Sequence, residues 1–131
     1  MHSPNSLANE AMMKVICQLN DWENQHLTLT HSLAGRYLYL SIAKQMHSKP
    51  DSASPLLKGI YCNKDLSERA LRYKLREFEK QGLIAFEPSS TDKRSKRILP
   101  SDSLVQAMTA HADALQHLLG NAFLIYPETQ A

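Results

Sequence analysis

The chain has 131 residues, which is enough for one domain with a hydrophobic core. Its 15 basic and 13 acidic side chains give a formal net charge of +2, and a net charge this small favours no particular class of partner. We see no signal peptide and no apolar run near the roughly 20 residues of a membrane span, and we expect a cytoplasmic protein. Cys17 and Cys62 have no motif spacing, which is typical of a reduced compartment.

An amphipathic helix is predicted from Asn5 or Ser6 to about Glu23, with apolar residues at three- and four-residue spacing. A helix this apolar must be covered, either by the rest of the chain or by a second subunit. Cys17 lies on this helix, and we expect an inert, buried thiol there.

A second helix is predicted over residues 31–47, with Thr30 as its N-cap. It is apolar over much of its circumference, which indicates a central core helix. Gly35 inside it costs about 1 kcal/mol relative to alanine and suggests a close helix crossing. A short helix beginning at Ser54 and a turn over 62–65 lead to the next element.

The next helix is predicted over residues 67–81. Ser67 is its expected N-cap, although Asp65 with Glu68 offers a competing capping box. Gly82 closes the helix, because a left-handed conformation costs least at glycine. The apolar stripe consists of Leu71, Leu75, Phe78 and then Leu83. The opposite, broad side carries Arg69, Arg72, Tyr73 and Arg76.

After Gly82 the pattern changes to a hairpin over residues 83–100. The first strand is predicted to end at Pro88, and Ile98-Leu99 to form the second strand. The intervening tip, residues 89–97, is turn-rich and then basic. Its cations are Lys93, Arg94, Lys96 and Arg97. A helix joined through glycine to a basic hairpin is the layout of a winged helix-turn-helix.

A final helix is expected to be capped by Ser101 or Asp102 and to end at Gly120. The apolar residues 123–126 follow it. We expect this tail to pack on the N-terminal helix or on a partner subunit.

Positive charge is concentrated on the candidate winged module. Residues 64–97 hold ten cations and six anions, a net charge of +4. The remainder holds 15 − 10 = 5 cations and 13 − 6 = 7 anions, a net charge of −2. Such a distribution favours nucleic-acid binding through the module.

Residues 66–101, LSERALRYKLREFEKQGLIAFEPSSTDKRSKRILPS, resemble the MarR family of bacterial transcription regulators. The segment FEKQGLI is similar to the family's leucine-glutamate-x-x-glycine-leucine-isoleucine junction, and Asp92-Lys93-Arg94 is similar to its aspartate-x-arginine wing. The order of elements is similar over most of the chain. The family's small hydroxyl residue on the recognition helix is replaced by Arg69 or Ala70, and no residue matches its effector pocket.

The resemblance implies a mainly α fold with a small β-hairpin wing, a winged helix-turn-helix with N- and C-terminal dimerisation helices. One domain is expected over 1–131. The dimerisation helices and tail span 5–25 and 102–126. The DNA-binding core spans 31–100, with the wing at 83–100.

The resemblance also implies a homodimer that places two recognition helices in successive major grooves of double-stranded DNA. Arginine donates two hydrogen bonds to guanine, so Arg69 and Arg72 are predicted to read bases. Tyr73 contacts a thymine methyl group or a phosphate. Phosphate contacts are assigned to Ser67, Arg76, Lys80, Lys93, Lys96 and Arg97. Arg94 is expected in the minor groove, where narrow A·T tracts attract guanidinium groups.

Other kinds of site have little support. His26 and His31 are five residues apart, and His111 and His117 six apart, so neither pair has the spacing of a helical metal site. We therefore expect no metal and no cofactor, and the identity of any small-molecule effector is left open. No glycine-rich phosphate loop or nucleophile motif indicates an enzyme.

The sequence thus predicts a sequence-specific regulator that binds double-stranded DNA as a homodimer, most simply a repressor associated with the nucleoid. The alternatives are a winged helix used for protein interaction, or a DNA-architecture or replication accessory module of a mobile element. A binder of double-stranded RNA or of a particular nucleic-acid structure is a third hypothesis. The arginine-rich helix and the basic wing favour DNA, because a protein-binding winged helix need not keep both surfaces positive.

Overall fold

The computed structural model describes residues 4–48, 65–88 and 96–125. The elements in chain order are α1 (Pro4–His26), a 3-10 turn (Thr28–Thr30), α2 (Leu33–Ser48), α3 (Glu68–Lys80), β1 (Ile84–Pro88), β2 (Lys96–Pro100) and α4 (Asp102–Ile125). The predicted fold class is confirmed, since the described chain is mainly helical with one two-stranded antiparallel hairpin. The predicted short helix from Ser54 and residues 62–64 of the turn lie outside the described residues.

The chain divides into two compact units. Unit 1 comprises Met1–Thr28 and Thr109–Ala131, and unit 2 comprises Leu29–Met108, so α4 contributes to both. The single-domain organisation and the dimerisation role of the terminal helices stay predictions.

Unit 1 is built from α1 and the C-terminal part of α4. Its core contains Ala11, Val15 and Ala122, with Leu118 and Leu119 packed against them. The buried side of α1 is narrower than its apolar sequence suggests. Large apolar side chains on α1 that stay exposed are Met12, Met13 and Ile16.

The expectation of a buried Cys17 was wrong, because this cysteine is exposed. It follows the buried Val15 by two residues, a rotation of about 200° around a helix, which carries its side chain to the other side of α1.

A buried polar contact joins the two helices of unit 1. Glu23 is only 5% exposed, and its Oε2 accepts a hydrogen bond from Nε2–H of His111 at 2.6 Å. The Trp22 indole stacks on the rings of His26 and His111, with centroid distances of 4.9 and 5.7 Å. The carboxylate therefore reaches a donor on α4 beside a layer of aromatic rings.

Unit 2 has its core where α2, α3, the hairpin and the start of α4 contribute apolar side chains. Its most deeply buried large residues are Leu38, Ile42, Leu71, Phe78, Ile98 and Leu104. Helix α2 packs against α3, and α3 packs against β1. Leu33 and Leu40 of α2 are 78% and 47% exposed, so α2 has a solvent-facing side that its apolar sequence did not predict.

Helix α2 begins later than predicted. Ser32 is its cap: the hydroxyl accepts the Gly35 N–H at 3.0 Å, while Thr30 belongs to the preceding 3-10 turn. A Cβ at Gly35 would collide with the carbonyl oxygen of Leu29. The close approach at Gly35 is therefore to the backbone of this turn rather than to a crossing helix.

The hairpin pairs Ile84 with Pro100 at one end and Pro88 with Lys96 at the other. Ser101 connects it to α4: its N–H donates to the Leu83 carbonyl at 2.8 Å, and its hydroxyl accepts the Leu104 N–H at 3.2 Å. Ser101 is thus the cap of α4, one of the two residues proposed for that role.

The prediction that α4 ends at Gly120 was wrong, because the helix continues to Ile125. A glycine inside a helix costs only about 0.5–1 kcal/mol, and Ala122 beyond it is buried in the core of unit 1. The backbone of 123–125 is helical, while the side chains of the predicted apolar tail and all of Tyr126 lie outside the described residues.

Candidate nucleic-acid interface

Helix α3 is fixed at both ends, and the predicted span 67–81 is confirmed with Ser67 and Gln81 as its caps. The Ser67 hydroxyl accepts the Ala70 N–H at 3.1 Å. At the other end, Gly82 has φ 75° and its N–H donates to Glu79. The Leu83 N–H donates to the Phe78 carbonyl at 2.9 Å, which completes a Schellman motif.

The buried stripe of α3 sets which side of the helix faces solvent. Leu71, Leu75 and Phe78 are at most 2% exposed, as their spacing predicted. Burial of these three side chains fixes the orientation of α3 about its own axis. The side chains on the opposite side therefore all project into solvent.

Five of these outward side chains border one shallow depression of about 510 Å³. We call it the arginine surface, and its described lining consists of Glu68, Arg69, Arg72, Tyr73 and Arg76. The structure therefore brings together four of the predicted site residues. Three guanidinium groups and one carboxylate leave this lining with a net positive charge, and the Tyr73 ring is 63% exposed within it.

The carboxylate of the arginine surface is paired. Arg72 donates from Nη2 to Oε1 of Glu68 at 2.6 Å, with side chains 60% and 55% exposed. Glu68 was predicted only as a residue of the helix start, although its spacing of four residues from Arg72 was a signal for this pair. An exposed pair of this kind contributes about 0.3–0.5 kcal/mol to the helix, so its effect on arginine geometry matters more than its effect on stability.

The carboxylate of Glu77 is paired on the same helix. The Lys74 ammonium donates to Glu77 Oε2 at 2.8 Å and, with a smaller effect of the Tyr73 hydroxyl, lowers the pKa of Glu77 below the ordinary value of 4.5. A lowered pKa means that this stabilisation is present at neutral pH and is lost as the pH falls through the lowered value.

Two further predicted residues of α3 lie at its ends. Although the Ser67 hydroxyl accepts the capping bond, its own hydrogen remains available to an anion. Lys80 is the exposed last residue of α3 and lies outside the arginine surface.

The basic tip is shorter than predicted. Lys96 and Arg97 are residues of β2, where they oppose Pro88 and Glu87. Arg97 is half-buried, and the residue opposite it in the strand register is the acidic Glu87. Lys93 and Arg94 lie outside the described residues.

Across residues 4–48, 65–88 and 96–125, no group of three or more histidines, cysteines or acids is arranged to hold a metal ion. The helices described within these ranges include none that is long and apolar enough to cross a membrane.

Proteins similar to this chain were found among solved structures only. No family model matches the sequence, and no curated protein matches it significantly. Among solved structures, the heme sensor PefR from Streptococcus agalactiae in complex with heme is 24% identical with a TM-score of 0.55, covering 94% of this chain and 80% of that chain.

Two further similar structures contain DNA. Sco3205, a MarR family transcriptional regulator from Streptomyces coelicolor in complex with DNA, is 15% identical with a TM-score of 0.52, covering 99% of this chain and 82% of that chain. Overoxidized AbfR bound to DNA is 19% identical with a TM-score of 0.51, covering 96% and 88%. At these identities the likeness shows the fold, and the MarR-like winged-helix fold expected from residues 66–101 is confirmed.

Proposed function

We propose that this protein is a transcriptional regulator, most simply a repressor, that binds double-stranded DNA as a homodimer. The observation that carries the proposal is the arginine surface, an exposed cationic side of a helix that is capped at both ends. Two proteins of similar fold were solved in complex with DNA, which supports a nucleic-acid partner for this chain. A cytoplasmic, nucleoid-associated location is part of the same proposal.

In this proposal α3 is the recognition helix. Arg69 and Arg72 donate to guanine edges in the major groove, and Tyr73 contacts a thymine methyl group or a phosphate. Phosphates are contacted by Ser67, Arg76, Lys80, Lys93, Lys96 and Arg97, and Arg94 enters the minor groove.

The homodimer is supported by the apolar side chains that unit 1 leaves in solvent. Met13 and Ile16 are 55% and 56% exposed on α1, and Leu115 is 36% exposed on α4. Side chains of this size at the surface mark contact sites more often than free surface when they cluster. A second copy of the chain is the occupant that we propose.

A fluorescence anisotropy titration tests DNA binding. The full chain is titrated into a labelled mixed-sequence duplex at low and at moderate salt, and we expect the affinity to fall steeply as salt rises. The triple variant Arg69→Ala, Arg72→Ala, Arg76→Ala should lose most of the binding. Lys14→Ala, an exposed cation on α1, is the control and should retain it.

The same titration separates the rival functions. No binding to duplex DNA at low salt would refute the proposal and favour the protein-interaction hypothesis. Competition that is stronger with double-stranded RNA than with DNA would favour the RNA hypothesis. The heme in the PefR complex belongs to that protein, and we propose no cofactor for this one.

A further inference from the structure

We propose that Glu68 is a positioning residue for sequence recognition: its carboxylate holds the Arg72 guanidinium in the orientation that reads a base. This inference rests on the proposed DNA-binding function and adds a residue to it. The DNA contacts predicted from the sequence do not include Glu68.

The geometry indicates that Glu68 orients the Arg72 guanidinium and does not block it from contacting DNA. Glu68 Oε1 contacts Nη2 of Arg72 at 2.6 Å, at one corner of the guanidinium. A guanidinium has five N–H donors in a planar fork, and the contact with Glu68 uses one of them while it restricts rotation of the side chain. Less conformational freedom is then lost on binding, which favours the contact.

The position of Glu68 supports the same role. It is the first residue of α3, next to the Ser67 cap, and it lines the arginine surface itself. A carboxylate on a surface that approaches DNA repels phosphates, so it lowers the affinity for every duplex. Glu68 therefore lowers the affinity for all duplexes. Its proposed benefit is the orientation of Arg72, which favours the preferred sequence.

The competing interpretation is that Glu68–Arg72 is an ordinary ion pair that stabilises a helix. The two interpretations differ in what happens when the charge of Glu68 is removed. Loss of helix stability would weaken binding to all duplexes alike. If Glu68 positions Arg72, removing its charge would raise the affinity for unselected duplexes by removing repulsion. The enriched duplex would gain less, because its contact with Arg72 is weakened, so the preference among duplexes would fall.

The test uses Glu68→Gln in the full chain and two DNA probes. One probe is a duplex enriched from a random library by the wild-type chain, and the other is a scrambled duplex of the same composition. We expect Glu68→Gln to raise the affinity for the scrambled duplex and to lower the ratio of enriched to scrambled affinity about twofold, which is the size of effect that an exposed pair at this spacing can supply.

Two variants make the test specific. Glu79→Gln removes the same charge from α3 outside the arginine surface, and it should leave the ratio unchanged. In an Arg72→Ala background, Glu68→Gln should no longer change the ratio, because it acts through Arg72. An unchanged ratio for Glu68→Gln, or an equal fall with and without Arg72, would overturn the inference.

Failure of the proposed function has a different signature. If the wild-type chain enriches no duplex and binds none at low salt, the DNA-binding function fails and Glu68 has no role in recognition. If the wild type enriches a duplex and Glu68→Gln keeps the wild-type ratio, only the positioning role is refuted.

Discussion

Two glycines of this chain should respond to alanine in opposite ways. Gly82 has φ 75°, a region that costs an L-residue about 1–2 kcal/mol, so we expect Gly82→Ala to destabilise the protein by about that amount. Gly120 lies inside α4, where we expect alanine to stabilise by about 0.5–1 kcal/mol. An added Cβ meets no atom within 4 Å at either position, so both effects are backbone effects.

Urea unfolding of the two variants measures this pair of effects. A destabilising Gly120→Ala would contradict a helix that continues through residue 120, whereas a neutral Gly82→Ala would contradict the left-handed cap of α3.

Arginine and lysine on the proposed interface should affect different properties of binding. Arg72→Ala is expected to relax the sequence preference at one position of the site, at a cost of about 1–3 kcal/mol for the preferred sequence. Lys96→Ala should weaken binding to all sequences and reduce the slope of log affinity against log salt by about 1. Titrations of specific and random duplexes at several salt concentrations separate the two, and equal losses on both duplexes for both variants would refute the assigned roles.

At the scale of the elements, the Glu23–His111 contact should matter for the packing of α1 on α4 within unit 1. His111→Ala removes one donor from a carboxylate that is 5% exposed, and we expect a loss of about 1.5–3 kcal/mol in the free energy of unfolding. His117→Ala on the same helix is the control. Its ring nitrogen is exposed and 3.2 Å from Asn121, so its loss should be small.

Thermal and urea unfolding compare the two histidine variants. If His111→Ala and His117→Ala cost the same, the buried contact does not hold these helices together.

Local patterns predicted the elements well where the determining interactions are local. The caps and buried stripe of α3 lie within a few turns of each other, so Ser67, Gly82 and the Leu71–Phe78 spacing predicted the helix and its outward face. The bounds of α2 and α4 were less accurate. Ser32 competed with Thr30 as a cap, and the packing of Ala122 outweighed the cost of Gly120.

Contacts between distant residues had no such signal. Glu23 and His111 are 88 residues apart, and nothing in either segment predicts their meeting. The exposure of Cys17 likewise depends on how wide a side of α1 the rest of unit 1 covers, which the apolar pattern of one helix cannot specify. In the candidate site, Arg69, Arg72, Tyr73 and Arg76 were predicted together. The Glu68–Arg72 pair was not predicted, although its four-residue spacing on one helix was a signal for it.

At the scale of the whole molecule, a charge on the exposed apolar side of α1 should dissociate the proposed dimer. We expect Ile16→Glu to shift the chain from dimer to monomer, because a buried unpaired carboxylate opposes association. Size-exclusion chromatography with light scattering measures this. DNA affinity should fall with it, since two recognition helices on one duplex bind more tightly than one.

The matched control is Gln18→Glu, which adds the same charge to α1 about 200° around the helix from Ile16. It should remain a dimer. A wild-type chain that elutes as a clean monomer would refute the model with two half-sites.

The base of the hairpin is held together by the pairing of β1 with β2 and by one bond from Ser101. The Ser101–Leu83 bond and the register from Ile84–Pro100 to Pro88–Lys96 are formed by residues on either side of 89–95. These described contacts involve none of the seven connecting residues. We therefore expect that the charge of the connecting residues can be redesigned to change the affinity for DNA while the Ser101–Leu83 bond and the strand register are kept.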